Sequence, residues 1–178
     1  MGHLAAAVEV RAVLGLDRML LVVAALPWQK VAMRAITPAE DRFAVVAAAV
    51  GGIDGIEASR LELDRGGPSY TADTVAELAS LHPGAELFLV VGADVVSDLP
   101  TWERVDDVRD GVTLVVVARP GAPMTLPPPP WKSCAVTVPA LDVSSSDLRA
   151  RVATGRPIDA LVPPAAVRQI RRLGLYAG

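Results

Sequence analysis

Cysteine is nearly absent from this chain: Cys134 is the only one among 178 residues. No internal disulfide can form, and no cysteine-rich metal cage can be built. A reduced, cytoplasmic setting fits. Aromatic residues are also scarce, at 4%, while apolar residues reach 52%. The core must therefore be packed by Val, Leu, Ile and Ala. Strong charge of one sign is lacking. A net charge of −3 supplies no basic surface for general nucleic-acid binding, yet it leaves room for a small anion held by a few local cations. The longest apolar stretch, Leu4 to Leu26, is interrupted by Glu9, Arg11, Asp17 and Arg18, so it does not read as a membrane span. No signal peptide and no internal repeat is evident. No Gly-x-Gly-x-x-Gly follows an expected strand, which argues against a dinucleotide-binding dehydrogenase. The length suits one domain over residues 1–178.

What is present alternates between strand and helix signals. His3 to Leu16 reads as a helix ending near Gly15. Met19 to Ala25 reads as a strand buried on both faces. A loop with Lys30 and Arg34 follows. Thr37-Pro38-Ala39-Glu40 has the form of a capping box and predicts a helix to about Val50, stopped at Gly51-Gly52. Ile56 to Leu63 alternates as a strand would, and Arg65-Gly66-Gly67-Pro68 breaks it. Thr71 or Asp73 opens a helix to Leu81. Glu86 to Val91 and Val112 to Ala118 are further buried strands, with a short helix at Trp102 to Val108 between them. After a Pro-rich loop, Cys134 to Val138 is a last strand. Ser144 or Ser145 caps a helix to Ala153, and Pro163-Pro164 starts a final one. This order predicts an α/β, Rossmann-like doubly wound parallel sheet with helices on both faces. Ligands in such sheets bind at the carboxyl ends of strands.

Several motifs fall at those ends. Ser144-Ser145-Ser146-Asp147-Leu148-Arg149 gathers hydroxyls and backbone N–H groups at a helix start, where an anion is favoured. Arg149, one turn in, can offer a fork of donors; simple N-capping accounts for the serines equally well. Gly2-His3 also opens a helix, where a histidine can donate to a phosphoryl oxygen as charge develops. Lys30 follows a strand and can reach phosphates, or be a solvated lysine. Asp64 to Thr74 is the most distinctive stretch: small residues, hydroxyls and an aromatic ring, with Thr74 at a helix start, could cradle a flat anionic heteroaromatic acid. Gly92-Ala93-Asp94 ends a strand, with Asp94 able to accept from ribose hydroxyls. Trp102 can stack on a ring or simply pack. Trp131 and Cys134 are given no role, and Arg168, Arg171 and Arg172 read as a solvated face.

Taken in order, these residues resemble the bacterial nicotinate-nucleotide adenylyltransferase family of the nucleotidylyltransferase superfamily. Ser69-Tyr70-Thr71-Ala72-Asp73-Thr74 is the most specific match; Ser145 to Arg149 carries a Ser/Arg pattern shared more widely. The resemblance implies adenylyl transfer from ATP to nicotinate mononucleotide, with magnesium arriving on the ATP, and a possible homo-oligomer. It implies that His3 stabilises the α-phosphate, and that Lys30, Ser145 and Arg149 hold the triphosphate. It assigns Thr74 and Trp102 to the nicotinate ring and its carboxylate, and Gly92 and Asp94 to the ribose.

The chain departs from the family at its start. His3 matches the second histidine of the family's His-x-Gly-His motif, but the preceding strand, Gly-rich loop and first histidine have no counterpart. That strand is central in the family sheet, so two neighbours are expected to lack a shared partner. The favoured expectation is a true start upstream of Met1. Two other readings stay open: a related transferase such as phosphopantetheine adenylyltransferase, and a nucleotide-binding module with impaired catalysis.

Overall fold

A computed structural model describes residues 2–26, 36–119, 121 and 123–177. By packing, the chain divides into two compact units, Met1–Pro68 with Leu141–Gly178, and Ser69–Ala140.

The first unit opens with helix α1, Gly2–Leu14. It ends where expected: Gly15 takes φ +63, and the N–H of Leu16 returns to the Arg11 carbonyl at 3.0 Å, a left-handed glycine stop. Strand β1, Met19–Val22, pairs in parallel with β2, Ile56–Ser59. Arg18 reaches across to Glu57 at 2.8 Å and holds its carboxyl below the ordinary range. Between these strands lies α2, Ala39–Val50. Helices α6, Ser145–Ala153, and α7, Pro164–Arg172, also belong to this unit. Ile158, Val167 and Ile170 form one buried cluster of this unit, with Val45 of α2 and Tyr176 packed against them, while Val10, Met19, Val23, Val50 and Ile56 are buried elsewhere in it. Arg168, Arg171 and Arg172 are exposed, as the solvated-face reading expects, and Arg171 pairs with Asp159.

The second unit is built on a three-stranded parallel sheet in the order β3-β4-β5: Phe88–Gly92, Thr113–Ala118 and Ser133–Thr137. Strand β4 is central. Its Leu114, Val115 and Val116 have no exposed surface, so both faces are covered and the continuous apolar run is explained. Helix α4, Thr71–Leu81, packs on α5, Val105–Gly111, through Ala72, Val75, Val108 and Val112. A 3-10 helix, Ala93–Thr101, follows β3 directly and buries Leu99 against Val91, Leu114 and Val116. Trp131 contributes to both clusters, which gives this unassigned residue a packing role.

Among the described residues all strand pairing is parallel, and helices flank the sheets, as expected. The described strands nevertheless form two sheets and not one continuous sheet. Four local expectations need correction. The strand from Ile56 stops at Ser59, whose hydroxyl accepts from the Leu61 N–H at 3.3 Å and turns the chain into α3, Leu61–Arg65. Leu-Glu-Leu-Asp alternates as a strand does, but Leu and Glu are good helix formers. Thr37 does not cap α2: its hydroxyl donates to the Tyr176 hydroxyl at 3.3 Å, and Pro38 occupies the cap position without a side-chain bond. Trp102 lies outside any helix. It ends the 3-10 helix in extended backbone, and α5 starts at Val105. Strand β1 is also only half-buried over most of its length.

Close packing makes one glycine testable. A Cβ on Gly111 would lie 2.6 Å from Cγ1 of Val75, a buried β-branched side chain with little rotamer freedom. Alanine for glycine in a helix ordinarily gains about 1 kcal/mol, whereas overpacking costs about 1–3 kcal/mol. Gly111→Ala should therefore lower stability in urea denaturation; a rise in the midpoint would contradict this packing.

Candidate active site

In the first unit, α6 settles which serine caps. The Ser144 hydroxyl accepts from the Asp147 N–H at 3.0 Å, in the geometry of an N-cap. Ser145 and Ser146 are then the first two helical residues, whose N–H groups have no acceptor within their own helix. Both side chains are exposed. Arg149 leans back along the helix, its guanidinium donating to the Ser146 hydroxyl at 3.1 Å. Asp147 would oppose an anion here, but Arg151 engages its carboxylate at 3.0 Å. The helix start thus offers backbone dipoles, an exposed Ser145 hydroxyl and a nearby guanidinium, a set suited to phosphate oxygens.

His3 stands in the same unit, exposed in the first turn of α1. Lys30 lies outside the described residues. The chain on either side of its segment is tied by a residue that the sequence pattern does not single out. Arg42 on α2 donates from Nη2 to the Ala25 carbonyl and from Nε to the Thr37 carbonyl, both at 2.9 Å. Partial burial pushes its pKa down, opposed by Tyr176. The rigid arginine fork is pre-organised to span two carbonyls in this way.

In the second unit, β3 ends at Gly92 and delivers Asp94 into the first turn of the 3-10 helix. The Asp94 carboxylate folds back over Gly92, so a Cβ there would strike Oδ1. The missing Cβ permits this close approach, and the carboxylate stays exposed at the carboxyl end of the strand. Thr74 is buried on α4, with its hydroxyl 3.5 Å from the Tyr70 carbonyl. Trp102 is half-buried and packs on the Val91, Leu99, Leu114 and Val116 cluster. His3, Ser145 and Arg149 therefore belong to one unit, and Thr74, Gly92, Asp94 and Trp102 to the other. Sequence reading misses Arg104, which takes a left-handed backbone conformation beside Trp102 and pairs with Asp73; no local signal marks a partner so distant in the chain. Among the described residues, no three His, Cys, Asp or Glu side chains gather as a metal cage.

Residues 1–151 match the family described as cytidylyltransferase-like. The protein from Streptomyces coelicolor named "Probable nicotinate-nucleotide adenylyltransferase" is 42% identical over 178 residues, covering 99% of this chain and 94% of its own. A protein of the same name from Thermus thermophilus is 43% identical over 176 residues, covering 99% and 92%. The chain belongs to the nicotinate-nucleotide adenylyltransferase family. One related protein, from Saccharopolyspora erythraea, is 39% identical, with 99% of this chain and 84% of that protein covered. The fold is shared with the Plasmodium falciparum nicotinic acid mononucleotide adenylyltransferase complexed with NaAD, at a TM-score of 0.75 and 16% identity, covering 98% of this chain and 89% of that one. Family membership agrees with an α/β architecture of parallel strands. No helix among the described residues is long and apolar enough to cross a membrane.

The cap geometry separates two neighbouring serines. Ser144→Ala should cost about 1 kcal/mol through loss of the cap, whereas Ser145→Ala should change stability by less than about 0.5 kcal/mol, as an exposed substitution. Thermal unfolding of both variants checks this; equal losses would contradict the assigned register.

Proposed function

We propose that the chain transfers the adenylyl group of ATP to nicotinate mononucleotide in the cytoplasm, as a single nucleotidylyltransferase domain. The observation that carries this reading is identity of about 40% with adenylyltransferases across nearly the whole chain. A phosphate oxygen of the mononucleotide attacks the α-phosphorus of ATP in line. The bond from that phosphorus to the bridging oxygen of the β-phosphate breaks, pyrophosphate leaves, and nicotinate adenine dinucleotide forms. No covalent nucleophile is required, because positioning and charge stabilisation suffice.

His3 donates to the α-phosphoryl oxygen as negative charge grows. Lys30, the N–H and hydroxyl of Ser145, and Arg149 hold the triphosphate. The exposed helix start behind Ser144 supports that role. Thr74 and Trp102 hold the pyridine ring and its carboxylate. Asp94, steered by Gly92, accepts from ribose hydroxyls. Magnesium rides on the triphosphate, neutralising its charge and keeping most of its waters; no residue of the chain is assigned to it.

A pyrophosphate-release assay tests the reading. ATP with nicotinate mononucleotide should yield pyrophosphate and the dinucleotide, and His3→Ala should lower kcat by about a hundredfold or more. Turnover with phosphopantetheine alone, or ATP binding in calorimetry without pyrophosphate release, would overturn it in favour of a related transferase or a binding module respectively. Gly92→Ala should raise the KM for the nucleotide bound at Asp94 while changing stability by less than about 1 kcal/mol, since only the tip of a flexible side chain must move. An unchanged KM would remove Asp94 from the site.

A further inference from the structure

The turn joining the 3-10 helix to α5 contains an arginine that the reaction above does not use. Arg104 adopts φ 50 and ψ 47, a left-handed conformation unfavourable for a residue with a Cβ. The turn needs this backbone. The Arg104 carbonyl accepts from the N–H groups of Asp107 and Val108 at 3.0 and 3.3 Å and so begins α5. Glycine would meet the same need without strain. What glycine lacks is the guanidinium, which pairs with Asp73 Oδ1. Asp73 adjoins Thr74 in the first turn of α4. Arg104 follows Trp102 by two residues. The pair thus bridges the two segments assigned to the pyridine ring.

Stability alone gives a weak reason for the pair. α4 and α5 already meet through Ala72, Val75, Val108 and Val112. The Arg104 and Asp73 side chains remain 45% and 34% exposed, and ion pairs so open to water add little. Hydrogen bonding to Asp73 raises the Arg104 pKa further above its already high value, so the cation persists at every working pH.

We propose that Arg104, acting through Asp73, is a positioning residue that fixes the Trp102 turn against the start of α4 and so sets the slot for the substrate's pyridine ring. This rests on the assignment of Thr74 and Trp102 to nicotinate mononucleotide. It adds a residue that need not touch the substrate.

Steady-state kinetics on the full chain provide the test. Arg104→Gly keeps the left-handed backbone and removes the cation. The KM for nicotinate mononucleotide should rise about tenfold, while the KM for ATP and the Tm stay unchanged. The exchange of Asp73→Arg with Arg104→Asp, aspartate being tolerant of the left-handed region, should recover most of that loss. An unchanged mononucleotide KM in Arg104→Gly, or equal rises for both substrates together with a lower Tm, overturns the proposal. So does an exchange variant with wild-type Tm and no recovery. A wild-type chain that releases no pyrophosphate defeats the adenylyltransferase reading as well, whereas active wild type with unresponsive variants defeats this proposal alone.

Discussion

Parallel pairing around β4 is the constraint on which the second unit depends. Leu114, Val115 and Val116 are sealed from solvent, so their backbone groups must bond within the sheet; leaving one buried group unmade costs about 1–3 kcal/mol. β3 and β5 satisfy them on either side. Parallel direction then brings the strand ends to a common edge. At that edge the chain leaves β3 through Gly92, and the missing Cβ lets Asp94 turn back over the strand end. A core requirement therefore ends in the placement of an exposed carboxylate.

Electrostatic organisation follows a comparable economy. Several arginines are engaged by carboxylates: Arg18 by Glu57, Arg60 by Glu40, Arg109 by Asp106, and Arg151 by Asp147. These contacts are largely exposed and modest in energy. Their effect is to direct charge. Arg151 offsets Asp147 in the first turn of α6, where an uncompensated carboxylate would repel a phosphate. Arg149 on the same helix meets the Ser146 hydroxyl, next to the exposed Ser145. A net charge of −3 is thus compatible with anionic substrates, because recognition depends on local donors and helix dipoles more than on overall charge.

Much of this was readable in the residues. The run from Val112 to Ala118 marked a strand buried on both faces, and the serines before Asp147 marked a helix start. Gly15 and Pro164 punctuated helices as their backbone limits require; Gly51 also ends α2, but at φ −59. The failures have physical causes. Leu61-Glu62-Leu63-Asp64 satisfies both periods in so short a window, and the Ser59 hydroxyl decides in favour of a turn. Thr37 had the form of a cap, but Tyr176, far along the chain, takes its hydroxyl. The pairing of Arg104 with Asp73 and the carbonyl fork of Arg42 are tertiary contacts without local pattern. For the site, motif spacing supplied candidates, and the structure added the Ser144 register, the Gly92–Asp94 approach and the packed setting of Trp102.

The central claim is that positioning and charge stabilisation drive a direct displacement at phosphorus, with no adenylated enzyme between substrate and product. Stereochemistry tests it most directly. With ATP made chiral at the α-phosphorus by sulfur substitution, one in-line displacement must invert that centre in the dinucleotide formed. Inversion is the predicted result. Retention would require two successive displacements through a covalent intermediate and would contradict the account.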